Sequence, residues 1–508
     1  MTDWSEIVDL DQALANTRND LIRDWYFDPW GWPELDWVVE NHPDIVYRRL
    51  NSEGVRSVAK LDVAKEGFMT RPAVVMEPVD RLVYQSLVDT ISVTLIGDMS
   101  TRAFGWRLPD GDATRGDYAA NNYQNKAYRE RLVNLANIYG AALKTDVTSF
   151  FASVPVDRLN ERLRQLAGGS AVADRLEDML DGFGRVDGRS GIPQRSLASC
   201  VLANCYMLPV DEVLEEYAPE PTGLRSWVSN GRSARWMDDI WLFGNDPSQL
   251  REAQVELQKR MEELGLRMNG GKTDVVEGQE NLIREVLSLQ HSAVDEDLEG
   301  ANSLVPLNEL IDGLLEAPEQ SSRTSVRFAT KRMRDYHAFD RVDDFAENAV
   351  RMPHASDGLA RLFRDSEFWR EMTDWFVEYE KSGWGSFDWA AAQFGRMFPT
   401  AESPSADLAA HFTDLVLRGD SLALSALCIQ RLASWNRDSA RQVIRERREV
   451  SSKPLERRVL ALAALQVGME AGFVRSMLRE FEENTVTLSM IEESGFAPLP
   501  VRADFTGD

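Results

Sequence analysis

The stretch Ser233-Ala234-Arg235-Trp236-Met237-Asp238-Asp239-Ile240-Trp241-Leu242-Phe243 decides how the rest of the chain reads. Apolar residues flank the acidic pair, Ala234 and Trp236 before it and Ile240 to Phe243 after it, which predicts a hairpin of two buried strands with the pair at its tip. Two adjacent carboxylates in such a place repel each other unless a cation neutralises them. Magnesium fits, since it takes hard oxygen ligands and keeps water or phosphate in its remaining positions. An isolated Asp-Asp more often marks a solvated turn, so the reading depends on what surrounds it.

The next segment outward is Leu143-Lys144-Thr145-Asp146-Val147-Thr148-Ser149-Phe150-Phe151. A single aspartate ends an apolar strand over Tyr139 to Leu143, followed by two aromatic residues and a helix start near Pro155. Beside Asp238 and Asp239, Asp146 completes three carboxylates able to hold two magnesium ions about 4 Å apart, with manganese able to substitute. That arrangement activates an attacking hydroxyl and stabilises a leaving pyrophosphate. The competing reading of Asp146 is a helix cap.

Asp146 with Phe150-Phe151, Gly191-Ile192-Pro193-Gln194 with Ser199 and Leu202-Ala203-Asn204, Met237-Asp238-Asp239, and Leu264-Gly265-Leu266 with Asn269 and Lys272-Thr273 together resemble, in order and spacing, the palm motifs of reverse transcriptases. Upstream, Arg71-Pro72, Pro78-Val79-Asp80-Arg81-Leu82-Val83 with Gln85, and Ala103-Phe104-Gly105-Trp106-Arg107 are similar to the finger motifs of the bacterial and group II intron branch. The resemblance covers about residues 45 to 280. The helical remainder lacks an evident thumb motif, and the whole looks most like the prokaryotic abortive-infection and defence-associated reverse transcriptases.

The resemblance implies roles. Asp146 and Asp238 are the main metal ligands, with Asp239 adjacent. Phe151 takes the place of an aromatic steric gate against a 2′-hydroxyl, while Phe150 reads as core. Lys65 and Arg71 match the finger pair that grips the triphosphate, although Lys65 reads equally as a solvated lysine. Gln194 lies against the incoming nucleotide or is a plain turn residue after Pro193. Lys272 protonates the leaving pyrophosphate as a general acid or is a surface lysine. Two departures matter. Arg195 stands where most templating relatives have glycine, which puts ordinary templated copying in doubt. Trp236 replaces the usual tyrosine or phenylalanine, keeping an aromatic platform but altering primer placement.

The chain has 508 residues with 43% hydrophobic and 9% aromatic composition, which excludes disorder and predicts several packed domains. Three cysteines, Cys200, Cys205 and Cys428, offer neither a disulfide framework nor zinc spacing. The five histidines are scattered and receive no role. An acidic start and the lack of any apolar run near 18 residues lead to the expectation of a cytoplasmic protein with no membrane span. The net charge of -26 argues against a broad basic footprint for duplex nucleic acid. Residues 1 to 300 carry 32 basic and 50 acidic side chains, a net of -18, against -8 in the remainder. The excess is greatest where the chemistry falls, so nucleic acid needs a local groove.

The expected organisation is an α+β protein: residues 1–44 as a helical lead with the aromatic cluster Trp25 to Pro33, 45–300 as fingers and a ferredoxin-like palm sheet, and 301–508 as an all-α, HEAT-like part. Short strands are expected over Ile45–Arg49 and Arg56–Leu61, and a helix over Asp80–Ile96. The aromatic cluster reads as a staple packed against another domain, with ligand stacking as the alternative. Leu422 to Leu427 recurs as Leu460 to Leu465, an offset of 38 that suits stacked helix pairs. Arg441, Arg445 and Arg448 share a helix face and could track a single strand of DNA product, or form a solvated surface paired with Glu446, Glu449 and Glu456.

The leading expectation is a magnesium-dependent DNA polymerase acting on dNTPs in antiviral defence, untemplated or protein-primed, and self-associating through its helical part. Templated copying of a partner or other RNA is the first alternative, and a non-catalytic helical sensor the second. A palm RNA polymerase is a third, against which Phe151 argues.

Overall fold

The computed structural model describes residues 2–56, 58–111, 113–186, 188–218, 231–287, 303–401, 405–419 and 421–505. The chain divides into two compact units of interleaved segments. Met1–Arg23, His42–Val55 and Val79–Ser292 form the first, and Asp24–Asn41, Arg56–Pro78 and Ala293–Asp508 the second. The expected boundaries at 44 and 300 follow motifs along the chain, whereas the units exchange segments: residues 24–41 and 56–78 pack with the helical remainder.

In the first unit, helix α1 (Leu10–Leu21) is capped by Asp9, whose side chain accepts from the Gln12 amide. Residues 43–50 are a helix where a strand is expected over Ile45–Arg49. Pro43 opens it, Asp44 and Arg48 pair one turn apart at 2.9 Å, and eight residues are too few to separate the two periodicities by pattern alone. Helix α2 (Pro78–Ile96) matches expectation. Five strands follow: β3 (Ala103–Phe104), β4 (Ala141–Thr145), β5 (Ser233–Trp236), β6 (Asp239–Gly244) and β7 (Asp274–Glu277), with order β3-β5-β6-β4-β7. The last four in chain order are mutually antiparallel neighbours, with helices between β4 and β5 and one helix between β6 and β7. That is the split βαβ, ferredoxin-like arrangement, and β3 adds a parallel edge.

Side-chain alternation gives this sheet two buried faces. Ala142, Ala234, Trp241 and Phe243 join Tyr128, Leu132 and Leu135 of helix α3 (Asn121–Ile138) and Leu282 of the helix Gln279–Leu287. The opposite face meets α4 (Leu197–Tyr217) and α5 (Pro247–Glu263). By length and composition α4 could cross a bilayer, contrary to the sequence count, because its Ser199, Asn204 and Asp211 interrupt no helix. Its apolar window is 83% buried within the protein, and those polar residues are spent on internal bonds, so it is a core helix.

In the second unit, β1 (Ala59–Lys65) pairs antiparallel with β2 (Met69–Val75), starting later than the strand expected over Arg56–Leu61. Trp25, Tyr26, Trp30 and Trp32 are all buried. Trp25 meets Trp389 edge-on at 5.7 Å, and Trp389 Nε1 donates to the Trp25 carbonyl at 2.9 Å. Arg458, buried in the helix Pro454–Gln466, lies over the Trp32 ring at 4.2 Å and binds Asp28 and Glu34 at 2.8 and 2.6 Å. Burial raises the Glu34 pKa, but the Arg458 guanidinium outweighs it and holds the carboxyl below its ordinary value. The aromatic segment is thus a staple within this unit. Ser356–Asp365 and Met372–Lys381 are separate helices, parted at Glu367 with φ +60°. Helices Arg323–Asp335, Asp388–Gly395 and Thr485–Glu493 also lie in this unit. The recurrent segments lie in Leu422–Trp435 and Pro454–Gln466, which pack on each other.

Arg458→Met leaves two buried carboxylates uncompensated, and loss of a buried pair of this kind costs about 3–5 kcal/mol. The unfolding free energy from the urea transition reporting on Trp25 and Trp32 should fall by that amount, with the midpoint moving to lower denaturant. An unchanged midpoint would show that the pairing holds nothing.

Candidate active site in the palm

Strand β4, held between β6 and β7, delivers Asp146 at its end. There the chain leaves the sheet through a bridge between Val147 and Met268, while the Asn269 amide donates to the Asp146 carbonyl at 2.9 Å. The Leu264 to Asn269 segment is therefore strapped beside Asp146. Its turn returns through Lys272, whose amide donates to the Asn269 carbonyl at 3.0 Å, and Thr273, whose hydroxyl meets Thr145 Oγ1 at 2.7 Å. This places Lys272 Nζ 2.7 Å from Asp146 Oδ2.

The acidic pair occupies a hairpin, as the apolar flanks predict. Trp236 pairs with Asp239 in register, and Met237 and Asp238 form the turn, with Met237 at φ +56°. A positive φ at the first turn residue matches the twist of a two-residue hairpin and strains a non-glycine residue. The strain is held by Arg235. Its guanidinium has no exposed surface, makes a bidentate pair with Asp211 of α4 at 2.7 and 2.6 Å, and donates to Asn204 Oδ1 at 3.0 Å and to the Met237 carbonyl at 2.8 Å. Asn204 in turn donates to the Gly105 carbonyl at 3.0 Å. Arg235 and Asp211 escaped the motif reading. The signal was present, since a charged residue within an apolar strand needs a buried partner.

The carboxylates act on one another. Burial, then the charge of Asp239, then that of Asp146 push the Asp238 carboxyl up to about 7, against its backbone hydrogen bond and Lys272. Burial and Asp146 also raise Asp239, although its side chain reaches solvent and water screens it more. Burial lowers the Lys272 pKa, but the hydrogen bond and charge of Asp146, with Asp239 and Asp238 behind it, outweigh this and hold the ammonium above its ordinary value. Asp146 Oδ1 is buried without a hydrogen-bond partner. Among the described residues no three acidic, histidine or cysteine side chains stand as a ready-made metal cage. An orphaned carboxylate oxygen and two carboxyls that resist ionisation are nevertheless the donor set that a hard divalent cation relieves.

Phe150 is buried and Phe151 half-buried, in a short helix, Phe150–Ser153, entered through Ser149 at φ +50°. The Phe151 carbonyl accepts from the Ile192 amide at 2.9 Å, and a Cβ on Gly191 would stand 2.0 Å from that same oxygen. Only glycine permits this approach, which docks the loop bearing Gln194 onto the short helix bearing Phe151. Arg195 holds φ +59°, the conformation a glycine would adopt freely, and its carbonyl accepts from Arg81 Nη2 at 3.2 Å. The loop is further anchored by Asp20, which accepts from the Leu197 amide at 2.6 Å, and by Gln85, which accepts from the Ala198 amide at 3.2 Å.

Asp146, Asp238, Asp239 and Lys272 thus come together in one unit, with Phe151 and Gln194 on adjoining segments of it. Lys65 and Arg71 belong to the other unit. There Lys65 ends β1, and Arg71 lies on β2 with its guanidinium 5.2 Å over the Trp25 ring. Arg441 donates to the Val467 carbonyl at 3.0 and 2.6 Å, and Arg448 pairs with Glu480 and stacks over Phe473. Of the expected strand-tracking face, Arg445 stays exposed while the other two are engaged within their own unit.

Residues 63–303 match the family model described as reverse transcriptase (RNA-dependent DNA polymerase). That segment is a reverse transcriptase domain, and the chain is a nucleotidyltransferase of the RNA-directed DNA polymerase type. No curated protein matches the chain.

Two outcomes follow from the electrostatics and the clamp. Because Asp238 ionises at about 7 when folded, against about 4 when unfolded, its ionisation opposes folding. Its favourable contribution is complete below pH 4 and is lost as pH rises through 7. Relative to Asp238→Asn, the metal-free wild type should lose about 2–6 °C of melting temperature over that window, and magnesium should reverse the loss. Arg235→Met should lower stability by about 3–5 kcal/mol by stranding Asp211. Adding Asp211→Leu should restore the stability, yet kcat should stay down about 100-fold, because the bond to the Met237 carbonyl is still missing. Equal recovery of both would make Arg235 a packing residue only.

Proposed function

We propose that this chain is a divalent-metal-dependent DNA polymerase that joins dNTPs to a 3′-hydroxyl or to a protein hydroxyl, without copying a template in the ordinary way, as part of antiviral defence. The observation that carries the chemistry is the gathering of Asp146, Asp238, Asp239 and Lys272 at one end of the palm sheet. Asp146, through its unpartnered Oδ1, and Asp238, with Asp239 adjacent, would hold magnesium or manganese. The chemistry such a pair supplies is Lewis-acid activation of the attacking hydroxyl and neutralisation of the leaving pyrophosphate. Lys272 keeps its proton beside Asp146 and is placed to give it to the leaving group. Phe151, fixed by the Gly191 approach, is the candidate barrier to a 2′-hydroxyl, with Gln194 on the docked loop beside it. Lys65 and Arg71 are proposed for the triphosphate on the resemblance alone.

The untemplated reading is supported by Arg195, which places a long cation at a glycine-like backbone position. The defence role, a cytoplasmic location, self-association and a HEAT-like scaffold belong to the proposal through the resemblance and the helical character of residues 305–493.

Purified protein given magnesium and one labelled dNTP, with no template or primer, should incorporate label. Asp238→Asn should reduce this to background, and Phe151→Ala should improve rNTP use relative to dNTP by at least about 10-fold. Label that appears only when an RNA template and primer are added would overturn the untemplated reading. In that case Arg195→Gly should raise templated synthesis. No incorporation by wild type under either condition would leave a binding module.

A further inference from the structure

Gly105 and Trp106 both hold positive φ, +77° and +48°. For tryptophan this conformation is costly, and it persists only where its surroundings over-determine it. Here they do: the Trp106 amide donates to Asn121 Oδ1 at 2.9 Å, and the Gly105 carbonyl accepts from Asn204, the residue that also binds Arg235. A Cβ at position 105 would crowd the Trp236 ring at 3.2 Å, on a backbone whose φ of +77° also favours glycine. The outcome is a pair of half-buried indoles, Trp106 and Trp236, 5.6 Å apart and inclined by 57°, with Tyr128 behind Trp236 at 5.7 Å. A ring needed only to fill the core would not call for a tryptophan held in so costly a backbone conformation.

Trp236 is the register partner of Asp239, so the pair stands within one strand position of the acidic cluster. The surrounding residues 1 to 300 carry a net charge of -18, which opposes the phosphate contacts that usually hold a nucleic acid. An aromatic platform holds a base by its face instead and tolerates any base. We infer that the Trp106–Trp236 pair is a stacking subsite for the unpaired 3′-terminal base of the DNA strand being extended. This rests on the polymerase reading, and it assigns Trp106 to substrate binding.

The probe is a single-stranded oligothymidylate with 2-aminopurine either at its 3′ end or at its centre, mixed with the full chain without metal or dNTP. The 3′-terminal label should be quenched and the central one much less. Trp106→Leu keeps apolar bulk but has no aromatic face, and it should bind about 10-fold more weakly with the quench lost. Trp106→Phe should retain most of both. Asp238→Asn should still quench, so the subsite can be judged even if incorporation is never seen. Leucine and phenylalanine variants behaving alike, or equal quenching of both labels, would overturn the assignment. Should the leucine variant not fold, photocrosslinking of a 3′-terminal 5-iododeoxyuridine to wild type decides. Attachment to Trp106 or Trp236 supports the subsite, and attachment elsewhere refutes it.

Discussion

A guanidinium with no exposed surface stands behind the turn that presents Asp238. Burying Arg235 is unfavourable unless its donors are met, and here four of the five are: Asp211 takes two, Asn204 one and the Met237 carbonyl one. Three pieces of chain that are distant in sequence are thereby set against one another. The β5–β6 turn is fixed in a positive-φ conformation, α4 is fixed behind the sheet, and Asn204 passes the constraint to the Gly105–Trp106 turn. The spacing between the carboxylates and the aromatic pair is a property of this one charge and its partners. Strand hydrogen bonds alone would leave the turn free to relax.

The front of the site has the opposite character. Behind the turn every charge is compensated, whereas in front of it Asp238 resists ionisation and Asp146 keeps an oxygen without a partner. A rigid support and an unsatisfied face form a coherent pair, because the support stops the carboxylates from swinging apart to relieve their repulsion. Lys272 supplies only part of the missing positive charge, from one side and from a half-exposed position. The geometry is thereby kept ready for a cation at a cost in stability that grows as Asp238 ionises.

How far this was legible in the sequence depended on the kind of constraint. The hairpin around Met237 and the end of β4 were readable, because long apolar flanks leave few alternatives for a short polar insert. The 43–50 helix was misread for want of length, and its one deciding feature was Pro43. Arg235 was present in the decisive stretch yet unread, since its partner Asp211 lies 24 positions away and pattern carries no information on that pairing. The basic face of Arg441 and Arg448 shows the converse: helical spacing left open a nucleic-acid strand or the acidic partners Glu446, Glu449 and Glu456, and the carbonyl of Val467 and the side chain of Glu480 engage these cations instead. Periodicity reports the orientation of a side chain but not what tertiary contact awaits it.

Arg195 shows what a departure from a motif can conserve. A glycine at such a position serves two ends at once, freedom of backbone and absence of side chain. The backbone end is kept here, at φ +59°, and is reinforced by Arg81 binding the carbonyl. Only the empty space is given up. Since a non-glycine residue at positive φ costs on the order of 1 kcal/mol, retaining the turn while adding a long cation is a worse solution for folding than simple relaxation of the loop. The loop cannot relax freely, because the Gly191 approach ties it to Phe151 and Asp20 ties its far end at Leu197. A long side chain is therefore carried on a turn whose path its neighbours hold in place. Arg195 thus adds bulk at the loop, while the path of the loop stays as Gly191 and Asp20 fix it.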